Sequence, residues 1–221
     1  LLDELHSFCL EKGIDVMIPF IDPAIGVVAK YRDTFGGIFA PLGSIESVEG
    51  MFDKAAAAKL FEKAQLPIPQ TYTLQNHSFP LIAKPRFGSA SQGIKVIRSE
   101  EELSEIATDA DDYLLQEYIE NREEITVDCY VSQTGEVIAT VPRLRVAVIG
   151  GEVSRTITID SPKVVKLSHL TLQKLNLKGA VTLQFIHDLA TGRVLLMGIN
   201  PRPGGGVVCS VHAGARSEEH T

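Results

Sequence analysis

Apolar positions recur with a helical period in some stretches of this 221-residue chain and with a strand period in others. After Asp53, a good N-cap, Ala57, Leu60, Phe61 and Ala64 fall at i, i+3, i+4 and i+7 and so share one helical face. Pro67 and Pro69 stop that helix. A strand is predicted over 81–85, then a loop of small residues over 86–93, then a second strand over 94–97. Ser99 with Glu102 forms a capping box that opens another helix. From residue 113 onward the rhythm becomes an antiparallel meander. Ile125, Val127, Cys129 and Val131 alternate with Thr126, Asp128 and Tyr130, which predicts a strand with one buried face. Gly135, Gly150-Gly151 and Thr191-Gly192 mark the turns. A helix starting at Ser161-Pro162, with an N-cap and a proline at N1, interrupts the sheet. It resumes over 179–188 and 194–202.

The first 50 residues follow a different plan. A helix over 1–12 leads to the apolar run Val16-Met17-Ile18-Pro19-Phe20, and a second helix leads to a short strand over 37–40. Short buried runs alternating with helices suggest a parallel sheet. The fold class is therefore α+β: the remnant of an α/β domain over 1–50, a small lobe over 51–113 and a larger lobe over 114–215. Residues 216–221 read as a disordered or appended polar tail. Both ends of the chain read as cut.

Composition narrows the function. Apolar residues make up 44% of the chain, enough for one good core or two modest ones. A formal charge of −7, with no basic run, argues against a nucleic-acid partner. No apolar stretch approaches the roughly 20 residues that cross a bilayer. The first residues lack a basic signal-peptide region and soon carry Asp3 and Glu4. A cytoplasmic protein without a membrane partner is expected. Cys9, Cys129 and Cys209 share no metal-ligand spacing and read as reduced thiols.

The most informative element is Lys84-Pro85-Arg86-Phe87-Gly88-Ser89-Ala90-Ser91-Gln92-Gly93. A lysine at a strand end precedes a loop that re-enters a strand. It is neither a Walker loop nor a dinucleotide fingerprint, both of which need a following helix. A loop with little side chain can still lay backbone N–H groups on phosphate oxygens, with the lysine adding a point charge. A surface hairpin would read the same way. Further along stand Leu115-Gln116-Glu117-Tyr118-Ile119-Glu120, then Glu124, then Leu183-Gln184-Phe185, and finally Met197-Gly198-Ile199-Asn200-Pro201-Arg202-Pro203-Gly204-Gly205-Gly206.

This ordered set, over about residues 51–214, resembles the ATP-grasp superfamily, with the carbamoyl-phosphate synthase large-subunit and biotin carboxylase branches closest. The resemblance implies an ATP-grasp fold of two lobes with ATP between them, preceded by part of a pre-ATP-grasp domain. Lys54 would then contact phosphate, and Lys84 the α- and β-phosphates. Gly88, Ser89, Gln92 and Gly93 would belong to a flap over the triphosphate. Gln116 and Glu117 would form the hinge whose backbone carbonyl receives the adenine amine, with the Ile119 N–H meeting a ring nitrogen. Glu124 would accept the ribose hydroxyls. Gln184 and Asn200 would be magnesium ligands, and Arg202 would lie near the γ-phosphate. The implied activity is that of an ATP- and Mg²⁺-dependent ligase that activates a carboxylate as an acyl phosphate for attack by an amine. Its oligomeric state is open, a homodimer among the candidates.

The sequence departs from the pattern at one place. The family hairpin carries an acidic residue two positions before the asparagine, where this chain has Gly198. Asp188 lies on the Gln184 face but four residues on, about 13 Å at strand rise, too far to substitute. Two further readings therefore stand beside the ligase: a non-catalytic ATP-binding module, and a plain α+β domain whose glycine loops are structural. Arg143 and Arg145 share one strand face by their spacing and, like Arg155, read either as anion contacts or as an exposed polar face. His187 and His212 read as structural.

Overall fold

A computed structural model of the chain describes residues 2–88, 92–150 and 152–215. The amino-terminal segment holds α1 (Leu2–Glu11), α2 (Asp22–Tyr31) and α3 (Ile45–Glu49). The two strands expected over 16–20 and 37–40 reduce to one parallel bridge between Val16 and Phe39. The Met17 N–H donates to the Phe39 carbonyl, and the Phe39 N–H to the Asp15 carbonyl, both at 2.8 Å. Val16, Ile18 and Phe20 stay exposed, so no buried face extends the ladder.

The helix after Asp53 is α4 (Lys54–Lys63), and the Asp53 carboxylate accepts from the Ala55 and Ala56 N–H groups at 2.9 and 3.3 Å. Ala57 and Phe61 are buried as the period demands, whereas Leu60 keeps 37% of its surface exposed. Together with Met51 and Leu66 they pack into the core of the larger lobe. The stretch 51–66, expected in the small lobe, therefore lies with the large one.

The small sheet contains β1 (Thr71–Tyr72), β2 (Leu81–Pro85), β3 (Lys95–Ile97) and, beyond α5 (Glu100–Ser104), β4 (Tyr113–Glu117). Its order is β1-β4-β2-β3, and each neighbouring pair is antiparallel. It extends past residue 113 because β4 pairs along the whole of β2. Leu81, Ala83, Ile97 and Leu115 pack against Leu103 of α5 and Ile106. Ser99 accepts from the Glu102 N–H, but the Glu102 carboxylate takes the Arg98 N–H.

The large sheet follows: β5 (Arg122–Val131), β6 (Val137–Ile149), β7 (Glu152–Thr158), then α6 (Pro162–Lys174), β8 (Gly179–Asp188) and β9 (Val194–Asn200). Its order is β7-β6-β5-β8-β9, antiparallel throughout. Ile125, Val127, Cys129 and Val131 form the expected buried face, sharing a core with Val164 and Leu172 of α6 and with Leu183 and Phe185. Ser161 makes no side-chain cap, leaving Pro162 to set the helix start. A short helix, α7 (Val207–His212), follows the glycine run. Gly179, at φ +77°, lets β8 start against Pro41: the Ala180 N–H donates to the Pro41 carbonyl at 3.2 Å, and Leu42 bridges Gly179. This contact seats the amino-terminal segment on the large sheet.

Candidate functional site

The polar face of the large sheet, the small sheet and the start of α2 enclose a cleft of about 510 Å³. Strand alternation delivers its side chains. Ile82 and Lys84 leave the small sheet on one face while Leu81 and Ala83 enter that sheet's core. Glu124, Thr126, Thr182, Gln184 and Ile186 likewise oppose the apolar face of β5 and β8.

Lys54 and Lys84 reach this one cleft from different elements. Lys84 is only 5% exposed, and its Nζ donates to Gln116 Oε1 at 2.9 Å. Desolvation pushes its pKa down to about 8, opposed by the Glu124 charge and assisted by Lys54 and Arg122. Lys54 opens α4, and its Nζ donates to the Gly88 carbonyl at 2.7 Å. Burial lowers its pKa as well, against the attraction of Asp22 and Asp53. The flap stem is anchored at the same helix start. Arg86 pairs with the Asp53 carboxylate, whose pKa is lowered chiefly by that guanidinium, and the Lys54 N–H donates to the Arg86 carbonyl at 2.9 Å.

Of the expected flap residues, Gly88 and Gln92 line the cleft. Gly93, at φ +71°, packs on Pro85. Ser89 lies outside the described residues, as do 216–221. At the hinge, Glu117, Tyr118 and Ile119 form the wall. The Gln116 side chain turns inward, holding Lys84 and donating to the Pro69 carbonyl at 3.4 Å. The Glu117 carboxylate is taken up by both Arg193 Nη groups at 3.0 and 2.9 Å and by the Gln70 N–H at 3.0 Å. Ile82, Ile119, Ile186 and Met197 line an apolar part of the cleft beside this backbone strip.

The β8–β9 hairpin supplies the far wall. Gln184 stands directly across from Gly198, and Thr182 across from Asn200. Arg202 lines the cleft with its Nε bonded to Asp22 Oδ1 at 2.7 Å, while its carbonyl accepts from Thr182 Oγ1 at 2.8 Å. Glu124 pairs with Arg122 at 3.7 Å and Arg145 at 3.5 Å. Asp188 stays out of the site and closes the hairpin turn, held down to about 2 first by the Thr191 hydroxyl and then by Arg193.

The exposed-face reading of Arg143 and Arg145 fails. Arg143 is 1% exposed, with Nε and Nη2 on the Asp128 carboxylate at 2.6 and 3.1 Å. Ser210 of α7 donates to the same carboxylate at 2.5 Å. A Cβ on Gly206 would overlap this guanidinium, so the backbone at Gly206 packs directly on Arg143. Arg145 is 10% exposed in its side chain, and Arg155 is the exposed one of the three. His187 pairs with Glu123 at 3.2 Å, and His212 is exposed.

Sequence reasoning missed Asp22 and the apolar lining. Asp22 begins a helix after an apolar run, at the end of an extended segment where α/β ligands gather. Ile186 was legible as the next residue after Gln184 on the same strand face.

Two family comparisons cover most of this architecture. The RimK-like ATP-grasp domain matches residues 52–162, half of the chain. The family described as ATP-grasp in the biosynthetic pathway with Ter operon matches residues 109–218. No curated protein matches the chain significantly in sequence. Among solved structures the chain is similar to a biotin carboxylase from Campylobacter jejuni in complex with β,γ-ATP: TM-score 0.76, 18% identity, covering 94% of this chain and 53% of that one. The biotin carboxylase domain of the Hydrogenobacter thermophilus 2-oxoglutarate carboxylase, solved with MgADP, ADP and bicarbonate, gives 0.74, 20%, 97% and 57%. An L-amino acid ligase from Bacillus licheniformis gives 0.70, 18%, 94% and 54%. The chain thus spans about half the length of each of these three proteins. At such identities the likeness speaks for the fold.

Proposed function

The chain belongs to the ATP-grasp superfamily, and from that premise we propose that it binds ATP between its two sheets as the nucleotide-binding part of a carboxylate–amine ligase. One observation carries the reading. Two lysines from separate elements meet in one cleft, and their hydrogen bonds run to neutral oxygens, those of Gly88 and Gln116. Neither hydrogen bond is to a carboxylate, and the charges of Glu124 near Lys84 and of Asp22 and Asp53 near Lys54 do not outweigh the cost of burial, so a polyphosphate would supply further counter-charge.

In this reading Lys84 faces the α- and β-phosphates, and Lys54, bonded to the Gly88 carbonyl, faces the outer ones. The adenine ring enters the apolar slot of Ile82, Ile186 and Met197. Its edge meets the backbone at Glu117 and Ile119, a strip pinned from behind by Arg193. Glu124 receives the ribose hydroxyls, and Asn200 and Arg202 stand beside the terminal phosphate. A substrate carboxylate oxygen attacks the γ-phosphorus, and the bond to the β–γ bridging oxygen breaks with its electrons going to ADP. An amine then attacks the acyl carbon, loses its proton and expels phosphate. The protein's contribution is to position these groups and neutralise their charge. The partners are small molecules. No helix among the described residues is long and apolar enough to cross a membrane.

The family resemblance also implies magnesium. The residues expected to hold it, Gln184 and Asn200, offer amide oxygens, and Gly198 offers none. Among the described residues no three His, Cys, Asp or Glu side chains gather where they could hold an ion. Magnesium prefers charged oxygen ligands in octahedral array, so this wall does not fit a resident ion. That misfit favours a second reading, a nucleotide-binding module without turnover.

Isothermal titration with ATP and a phosphate-release assay, run on this chain and on Gly198→Glu, separate the readings. Binding with release that appears only in the variant supports the module. Equal release from both proteins supports the ligase and removes the argument from Gly198. A folded chain that ignores ATP, showing no thermal shift where ligand at 100 times Kd would add about 2.7 kcal/mol, would leave only a structural domain.

A further inference from the structure

Resting on that nucleotide reading, we infer that the cleft takes its nucleotide as the metal-free polyphosphate, with protein cations standing where a divalent ion would neutralise it. The argument begins with the carboxylates. Asp22 is bonded to Arg202 at 2.7 Å. Glu124 is shared between Arg122 and Arg145. Glu117 is taken bidentately by Arg193. On the same sheet face, Asp128 is buried under Arg143 and Ser210, and Asp188 is held by Thr191 and Arg193 at the hairpin turn. Recruiting Asp22, Glu124 or Asp128 to an ion would take a carboxylate from an arginine it already serves, and the Arg143–Asp128 pair is nearly fully buried, a cost that a weakly held cation does not offset.

The hairpin adds no charge of its own. A Cβ on Gly198 would sit 3.4 Å from Gln184 Oε1. An acidic side chain at 198 would therefore share a metal with that amide, but the position carries only hydrogen. On the other side of the balance, Lys and Arg side chains outnumber carboxylates on the described walls. Lys54 and Lys84 donate to neutral oxygens. A bound magnesium would cancel much of the phosphate charge these lysines are placed to meet, and it would bring a cation into a wall already rich in them.

The test is isothermal titration of the full chain with ATP, once in buffer containing EDTA and once with excess magnesium chloride, with a thermal melt to establish folding. The chain should bind ATP at least as tightly in EDTA as in magnesium. Gly198→Glu should bind at least tenfold more weakly than the parent in EDTA and recover when magnesium is added. Tenfold tighter binding by the unaltered chain in magnesium than in EDTA would overturn the inference while leaving the nucleotide site intact. A folded chain that binds ATP in neither buffer would overturn the nucleotide reading and this inference with it.

Discussion

Raising the pH from 7 to 9 should weaken ATP binding by about tenfold through one side chain. Lys84 is buried, and desolvation has pushed its pKa down to about 8. A phosphate needs the ammonium form, which is about 90% populated at pH 7 and about 10% at pH 9 for a group with that pKa. A ninefold loss of the competent form lowers the apparent affinity by the same factor, roughly 1.3 kcal/mol. The Lys54 pKa is shifted in the same direction, by burial. ATP completes its own ionisation over part of this range and pulls the other way, so Lys84→Met supplies the baseline. Titrations at pH 7, 8 and 9 in buffers of different ionisation enthalpy should register uptake of about half a proton per ATP at pH 8. An affinity constant to within twofold across the range, or the same slope in Lys84→Met, would refute the reasoning. Stability moves in the opposite sense. Between about pH 8 and the ordinary lysine value the unfolded chain holds more protons than the folded one. The apo protein should therefore gain roughly 3 kcal/mol from this group as the pH rises through that window, measurable by urea unfolding.

Two structural predictions follow from the large sheet. Asp128→Ala leaves the Arg143 guanidinium buried without its counter-charge and should cost about 3–5 kcal/mol in urea unfolding; a loss under about 1 kcal/mol would mean that the pair is solvated. Gly179→Ala places a Cβ against the Pro41 carbonyl at a positive φ and should lower stability by more than about 2 kcal/mol. An unchanged melting temperature would mean that the amino-terminal segment does not seat on β8.

Much of the local structure was written in single residues. Asp53 before an i, i+3, i+4 apolar pattern specifies a capped helix, and the alternation of 125–131 specifies a strand with one dry face, because these are properties of neighbours in the chain. The lysine, flap, hinge and hairpin motifs fixed which segments would gather. Where those segments packed was decided elsewhere. The stretch 51–66 joined the large core because Ala57 and Phe61 found Leu196 and Ile199 there, a choice between two apolar surfaces that no local period encodes. Arg143 was indistinguishable from a solvated arginine until Asp128, on the neighbouring strand, and Ser210, from the far end of the chain, closed around it. The Gln116 side chain turned under Lys84 because β2 and β4 pair in the register that sets Gln116 across from Ile82, diagonal to Lys84 on the same face. Sequence determined the periodicities and the chemistry each segment carries. Tertiary structure alone decided which charges are neutralised from within and that Lys54 and Lys84 share one cleft, because that balance depends on distances between residues far apart in the chain.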